Sequence, residues 1–173
     1  MAEVEKTPYT QHDRFLGTYE EANSTQHEDK VGAMWSAILT EGYVNAPQYE
    51  NQGGFTDTTT MQWRRNRHDA LYKQVSLVTQ TKRARYTITR RQWAEGEEQL
   101  RRYLAAHHQE AEEAEAGESE LYGIVAIGRW TNLYQYNGET GQLMFILKEG
   151  GPYHVREGAN EISRHLDHMK RNH

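Results

Sequence analysis

Two stretches of the chain interleave cations with aromatic rings: Trp63-Arg64-Arg65-Asn66-Arg67, and Lys82-Arg83-Ala84-Arg85-Tyr86 followed by Arg90-Arg91. Cationic side chains neutralise phosphates and aromatic faces stack on bases. Trp63, Arg64, Arg65, Arg67, Lys82, Arg83, Arg85, Arg90 and Arg91 are therefore candidate nucleic-acid contacts. Charge along the chain is segregated to match. Residues 1–60 hold ten acidic and three basic side chains, residues 61–91 nine basic and one acidic, and residues 92–120 nine acidic and two basic. The whole chain is nonetheless acidic, at net −5 with a pI near 6.0, whereas dedicated nucleic-acid domains lie above about 9. Pairing of the arginines with Glu95–Glu98 and Glu110–Glu115, or with a partner subunit, explains the same segregation without any ligand.

A second constellation is aromatic. Trp130, Tyr134 and Tyr136 fall on one face of an extended strand and Leu133 on the other, so one face presents rings to a protein partner or to a second copy of the chain, unless it is core. Glu161, His165 and His168 share a face of a C-terminal helix at i, i+4 and i+7. They lack the HExxH order that sets a base between two ligands, and no metal or cofactor is implied. Tyr153 and His154, beside Gly150-Gly151-Pro152, are the nominees for acid–base chemistry in a pocket between sheet and helices. Neither glycine-rich nucleotide cradle occurs, and Gly-x-Ser-x-Gly is missing.

The elements that must position these residues follow from periodicity. Residues 1–24 predict a mobile N-terminal segment with a short docking helix anchored by Phe15, Leu16 and Tyr19. Thr25-x-x-Glu28 has the capping-box form, and Val31, Met34, Trp35 and Ile38 continue a helix over 26–41. Residues 45–60, with Pro47, Gly53-Gly54 and four threonines, read as a long loop. Leu71, Val75 and Val78 make a helical stripe over 67–81, although the β-branches from Val75 to Thr79 also suit a strand. Alternation over 84–89 predicts a strand, and Thr89-x-x-Gln92 opens the longest helix. Its acidic end opposes the helix dipole and predicts a frayed, mobile 112–120. Leu121 to Ile127 reads as a strand buried on both faces, and the segments around Asn137 to Gly141 form a hairpin. A closing helix over 157–171 carries Ala159, Ile162, Leu166 and Met169. Together these predict an α+β fold, an antiparallel sheet of about four strands with helices packed mainly on one face, in a single domain over 25–173.

The run Tyr122-Gly123-Ile124-Val125-Ala126-Ile127-Gly128-Arg129-Trp130 through Tyr134 resembles the late strand–turn–strand of the restriction-endonuclease-like nuclease superfamily. That superfamily holds Mg²⁺ with an Asp and a Glu-x-Lys on adjacent strands. The only Glu-x-Lys here, Glu28-Asp29-Lys30, opens a predicted helix, so the resemblance brings no active site with it.

At 173 residues, with a mean hydropathy of −1.00 and 36% hydrophobic residues, a thin-cored single domain is expected. The absence of cysteine excludes disulfides, thiolate metal sites and cysteine nucleophiles. An acidic N-terminus and the lack of a long apolar run predict a soluble intracellular protein, cytoplasmic or nuclear, with no membrane partner. The first expectation for function is a non-enzymatic interaction module using the aromatic hairpin and the basic segment. Nucleic-acid binding through 63–91 is the second, and a small enzyme the third.

Overall fold

The computed structural model describes residues 9–22, 28–42, 49–53, 57–66, 68–83, 87–114, 120–146 and 151–172. A 3-10 turn at Tyr9–Gln11 precedes helices α1 (Asp13–Glu21) and α2 (Glu28–Gly42). Strands β1 (Tyr49–Gly53), β2 (Asp57–Arg65) and β3 (Leu71–Lys82) lead to the long helix α3 (Arg90–Glu113). Strands β4 (Leu121–Ile127), β5 (Trp130–Asn137), β6 (Gln142–Phe145) and β7 (Tyr153–His154) precede helix α4 (Ala159–Arg171). The strands form one sheet in the order β1-β2-β3-β4-β5-β6, with the two-residue β7 also on β5. Every pairing is antiparallel except β3 with β4. The fold is thus mixed α/β and mostly antiparallel, with more strands than the four expected.

Both faces are covered. Phe15 and Tyr19 of α1, Met34, Trp35 and Ile38 of α2, and Ile162, Leu166 and Met169 of α4 pack on Leu77, Tyr122, Ile124 and Leu133. On the opposite face Leu100 and Leu104 of α3 pack on Val78, Leu121, Val125, Ile127, Tyr134 and Tyr136. Three of the four helices lie on one side, as the expectation of helices mainly on one face has it, and the longest lies on the other. Double cover also explains why all seven residues of β4 are buried.

Local signals at the start of α3 and along α4 act as read. Thr89 Oγ1 accepts from Gln92 N at 3.3 Å while Thr89 N donates to Gln92 Oε1 at 3.1 Å, a reciprocal cap. Ala159, Ile162, Leu166 and Met169 are all buried. Helix α3 persists through Glu112 and Glu113 despite their charge, and 115–119 lie outside the described residues. So do 1–8 and the start of the Thr25 capping box. Tyr9, within the expected mobile stretch, is buried, and its hydroxyl donates to Val155 O.

Two expectations are corrected. Residues 45–60 are not a long loop, because β1 and the start of β2 fall there and Thr58 and Thr60 are buried in the sheet; 45–48 and 54–56 lie outside the described residues. Residues 71–82 are strand β3 rather than helix. The misleading cue has a physical cause: the β2–β3 register shifts between Thr60 and Met61, so that Thr60 faces Leu77 and Met61 faces Val75. This bulge places Val75 and Val78, three residues apart, in the same core cluster under α3, while Leu77 joins the other. The strand expected over 84–89 does not appear at 87–89, and 84–86 lie outside the described residues.

Helix α3 lies close on the sheet through a glycine. A Cβ on Gly96 would stand 2.6 Å from Val125 Cγ1, on a stiff β-branched side chain that cannot move aside. Gly96→Ala gains about 1 kcal/mol of helix propensity but meets an overpacking cost of about 1–3 kcal/mol. A net loss of up to about 2 kcal/mol in urea unfolding is expected, and Val125→Ala in the same chain should recover part of it. An additive double variant would show that the contact is not the cause.

Candidate functional site

Parallel strands cannot be joined by a tight turn, so β3 and β4 need a crossover, and α3 supplies it. Asn66 Nδ2 donates to Ala114 O at 3.4 Å, which sets the C-terminal end of α3 beside the β2–β3 turn. The first turns of α3 therefore lie at the opposite end of the sheet, with the C-terminal ends of β3 and β4. Open α/β sheets place ligands at such ends. Here they frame a cleft of about 620 Å³ whose lining includes the cations Lys82, Arg83, Arg91 and Arg102, the carboxylates Glu95 and Glu98, and the amides Gln92 and Gln99.

The carboxylates hold some of these cations along the helix. Arg91 Nε meets Glu95 Oε1 at 2.8 Å, and Glu98 Oε1 receives Arg101 Nη2 at 2.9 Å and Arg102 Nε at 3.2 Å. The Arg101 hydrogen bond, ahead of the opposing effect of burial, holds the Glu98 carboxyl below its ordinary range. All of these groups stay in contact with solvent, where ion pairs contribute little. A phosphate reaching the cleft competes with weak partners. Arg83 and Arg90 are exposed.

Beneath α3, the amide oxygens of Gln80, Gln99 and Asn132 are buried and accept no hydrogen bond from the described residues. Gln80 is 2% exposed. Each such acceptor costs about 1–3 kcal/mol. Gln80, Gln99 and Arg102 went unremarked in the sequence, where Gln92 was read as a helix cap alone; the available signal was Lys82, two residues beyond Gln80 on the same face of an extended strand.

The sequence candidates scatter. Arg64 and Arg65 sit at the β2–β3 turn, where Arg64 Nε meets Gln62 Oε1 at 3.2 Å and Arg65 Nη1 bonds Asp69 O at 2.8 Å and pairs with its carboxylate at 3.3 Å. Lys82, Arg83, Arg90 and Arg91 lie past the other end of β3, about 36 Å away at the rise of a strand. The basic segment is thus two patches. Trp63 lies in β2, while Arg67 and Arg85 fall outside the described residues.

The aromatic face expected from Trp130, Tyr134 and Tyr136 is mostly core, because α3 covers it. Tyr134 is 1% exposed, its hydroxyl donates to Glu97 Oε1 at 2.7 Å, and burial holds its phenol well above the ordinary range. Tyr136 is buried beside the His108 ring. Trp130 alone of the three is exposed, at 39%. Tyr153 and His154 are half-buried, with the His154 ring against Trp130 and Tyr19 and the Tyr153 ring stacked on His165. Among the described residues no three His, Asp or Glu side chains are grouped to hold a metal ion, and no helix is long and apolar enough to cross a membrane.

The strand–turn–strand expected around Gly128 is present, with β4 turning at Gly128 (φ 59°) into β5. Glu28-Asp29-Lys30 does open α2. Adjacent strands, however, carry a different arrangement: the β2–β3 register sets Asp57 directly opposite Gln80, and Gln80-Thr81-Lys82 ends β3. An Asp therefore faces a Gln-x-Lys where the nuclease superfamily has a Glu-x-Lys. The amide keeps an oxygen donor and removes one negative charge, so the donor type suits a hard divalent cation while the charge is short by one. No protein family, curated protein or solved structure matches this chain.

Burial holds the His154 and His165 imidazoles below their ordinary range. The unfolded chain therefore binds more protons than the folded one below about pH 6.5. Stability present above that pH is lost as pH falls through the lower folded values. The urea midpoint should drop between pH 7.5 and pH 5, and the double variant His154→Asn, His165→Asn should flatten that slope; an unchanged slope would place the pH dependence elsewhere.

Proposed function

We propose that the chain binds a nucleic-acid strand through the cleft at the C-terminal ends of β3 and β4. The observation that supports this reading is the gathering of Lys82, Arg83, Arg91 and Arg102 in one cleft of a chain whose net charge is −5. Acidic surroundings keep such a protein off non-specific polyanions while a local cationic cleft still takes phosphate. The interaction-module reading has less to stand on, since two of its three rings lie under α3.

Fluorescence anisotropy with a labelled oligonucleotide tests the proposal. Four contacted phosphates on a single strand give a slope of about −2.8 in log K against log salt, or roughly a 50-fold loss of affinity between 50 and 200 mM. Arg83→Glu with Arg91→Glu should abolish binding, and Arg65→Glu, at the far end of β3, should leave it within about twofold. Absence of binding at low salt to any single- or double-stranded DNA or RNA ends this reading.

A second reading concerns phosphodiester hydrolysis, and the register of Asp57 against Gln80-Thr81-Lys82 favours it. Asp57 and the Gln80 oxygen would hold a divalent cation, which when bound polarises a phosphoryl oxygen, and the Lys82 ammonium would stabilise charge developing beside it. With only one carboxylate the wild-type chain should bind Mg²⁺ weakly. Gln80→Glu should tighten Mg²⁺ binding by calorimetry and raise cleavage of a fluorogenic strand, and Asp57→Asn should remove both gains. Folded Gln80→Glu protein that neither binds Mg²⁺ nor cleaves would contradict it.

A further inference from the structure

We infer that the strand bound in the cleft is unpaired where it crosses the β4–β5 turn, and that one of its bases stacks on Trp130. This rests on the cleft reading and extends it to a substrate class. Four strands carry the observation. Lys82 is registered with Ile127, Ile127 with Trp130, and Trp130 with His154, so one row of cross-strand neighbours runs from the cleft to the far side of the turn. The backbone closes the same path, with Gly128 N donating to Lys82 O at 2.9 Å. Two strand spacings put Trp130 about 10 Å from Lys82.

Along this row Trp130 is the exposed ring. It is 39% exposed, against 1% and 9% for Tyr134 and Tyr136 on the same face of β5. It is also braced: the His154 ring meets it at 5.1 Å and 70°, and His154 in turn packs edge-on against Tyr19 at 6.2 Å. Arg129, next to it, is committed to the fold. Its guanidinium donates to Tyr19 O at 2.8 Å and Ala22 O at 3.1 Å and lies 3.9 Å over the Tyr19 ring. Val155 N donates to Arg129 O at 2.9 Å, so the turn is fixed from both sides. Arg156, exposed beyond β7, has its guanidinium 5.5 Å from the centroid of the same Tyr19 ring.

A fixed, part-exposed indole in one cross-strand row with Lys82 has the chemistry of a stacking platform for single-stranded nucleic acid, since every base has a face to offer and no sequence is selected. A duplex cannot supply that face without unstacking. The bases in it are already covered by one another.

The test compares an oligothymidylate of about twelve nucleotides with an abasic strand of the same length and with a duplex. Wild-type protein should bind the oligothymidylate roughly 5- to 150-fold more tightly than the abasic strand. Trp130→Ala should remove that preference without changing abasic affinity or its salt slope, and Trp130→Phe should keep part of it. The wild-type comparison stands even if a variant fails to fold. Equal affinity of wild-type protein for the base-bearing and abasic strands, tighter binding of the duplex, or a preference retained by Trp130→Ala overturns the inference while leaving the cleft reading in place. If no strand binds at low salt, both fail together.

Discussion

The pairing of β3 with β4 in parallel is the constraint from which the rest of this molecule follows. A parallel pair obliges the chain to return along the sheet before the second strand begins, and α3 makes that return over the full length of β3, from the Thr89 cap to the Asn66 contact at Ala114. The helix can lie close because Gly96 sits on Val125 and Leu100 sits on Gly123, small against branched in each direction. Its position brings the cations of its first turns to the ends of the two parallel strands. It also buries Tyr134 and Tyr136, while Trp130 stays 39% exposed.

Charge is arranged by the same geometry. The helix presents Glu95 and Glu98 among the cleft arginines, so the cationic end is tempered by solvent-exposed carboxylates one turn away. Its acidic far end lies beside the β2–β3 turn, where Asn66 bonds Ala114 O and Arg65 pairs with Asp69. Segregated charge in the sequence thus becomes two separated ends in space. Buried amides beneath the helix are the less stable part of this arrangement, because Gln80, Gln99 and Asn132 hold oxygens away from water without donors among the described residues.

How far this was legible in the sequence differs by element. Helix α3, with its reciprocal cap, and helix α4, with its clean apolar stripe, were readable because their local chemistry and burial agree. Strand β4 was readable because burial on both faces leaves a continuous apolar run. Strands β2 and β3 were not. Their buried positions include Thr58, Thr60, Gln74, Ser76, Thr79, Gln80 and Thr81, which removes the apolar alternation, and the bulge at Thr60/Met61 gives Val75 and Val78 a helical spacing. The site suffered from that error directly: with 67–81 read as helix, Asp57 could not be set opposite Gln80. Tyr134 and Tyr136 were read as one face correctly, but which layer covers that face is a tertiary fact.

The central claim is that nucleic acid meets the molecule at one end of the sheet. Hydrogen exchange of backbone amides with and without a short single-stranded oligonucleotide tests it most directly, because the two basic ends of β3 are far enough apart to be resolved. Slowed exchange at 81–83, 90–102 and 127–130, with no change at 64–69, is the result expected. Protection centred on 64–69, or none anywhere under conditions where the oligonucleotide is bound, would contradict it.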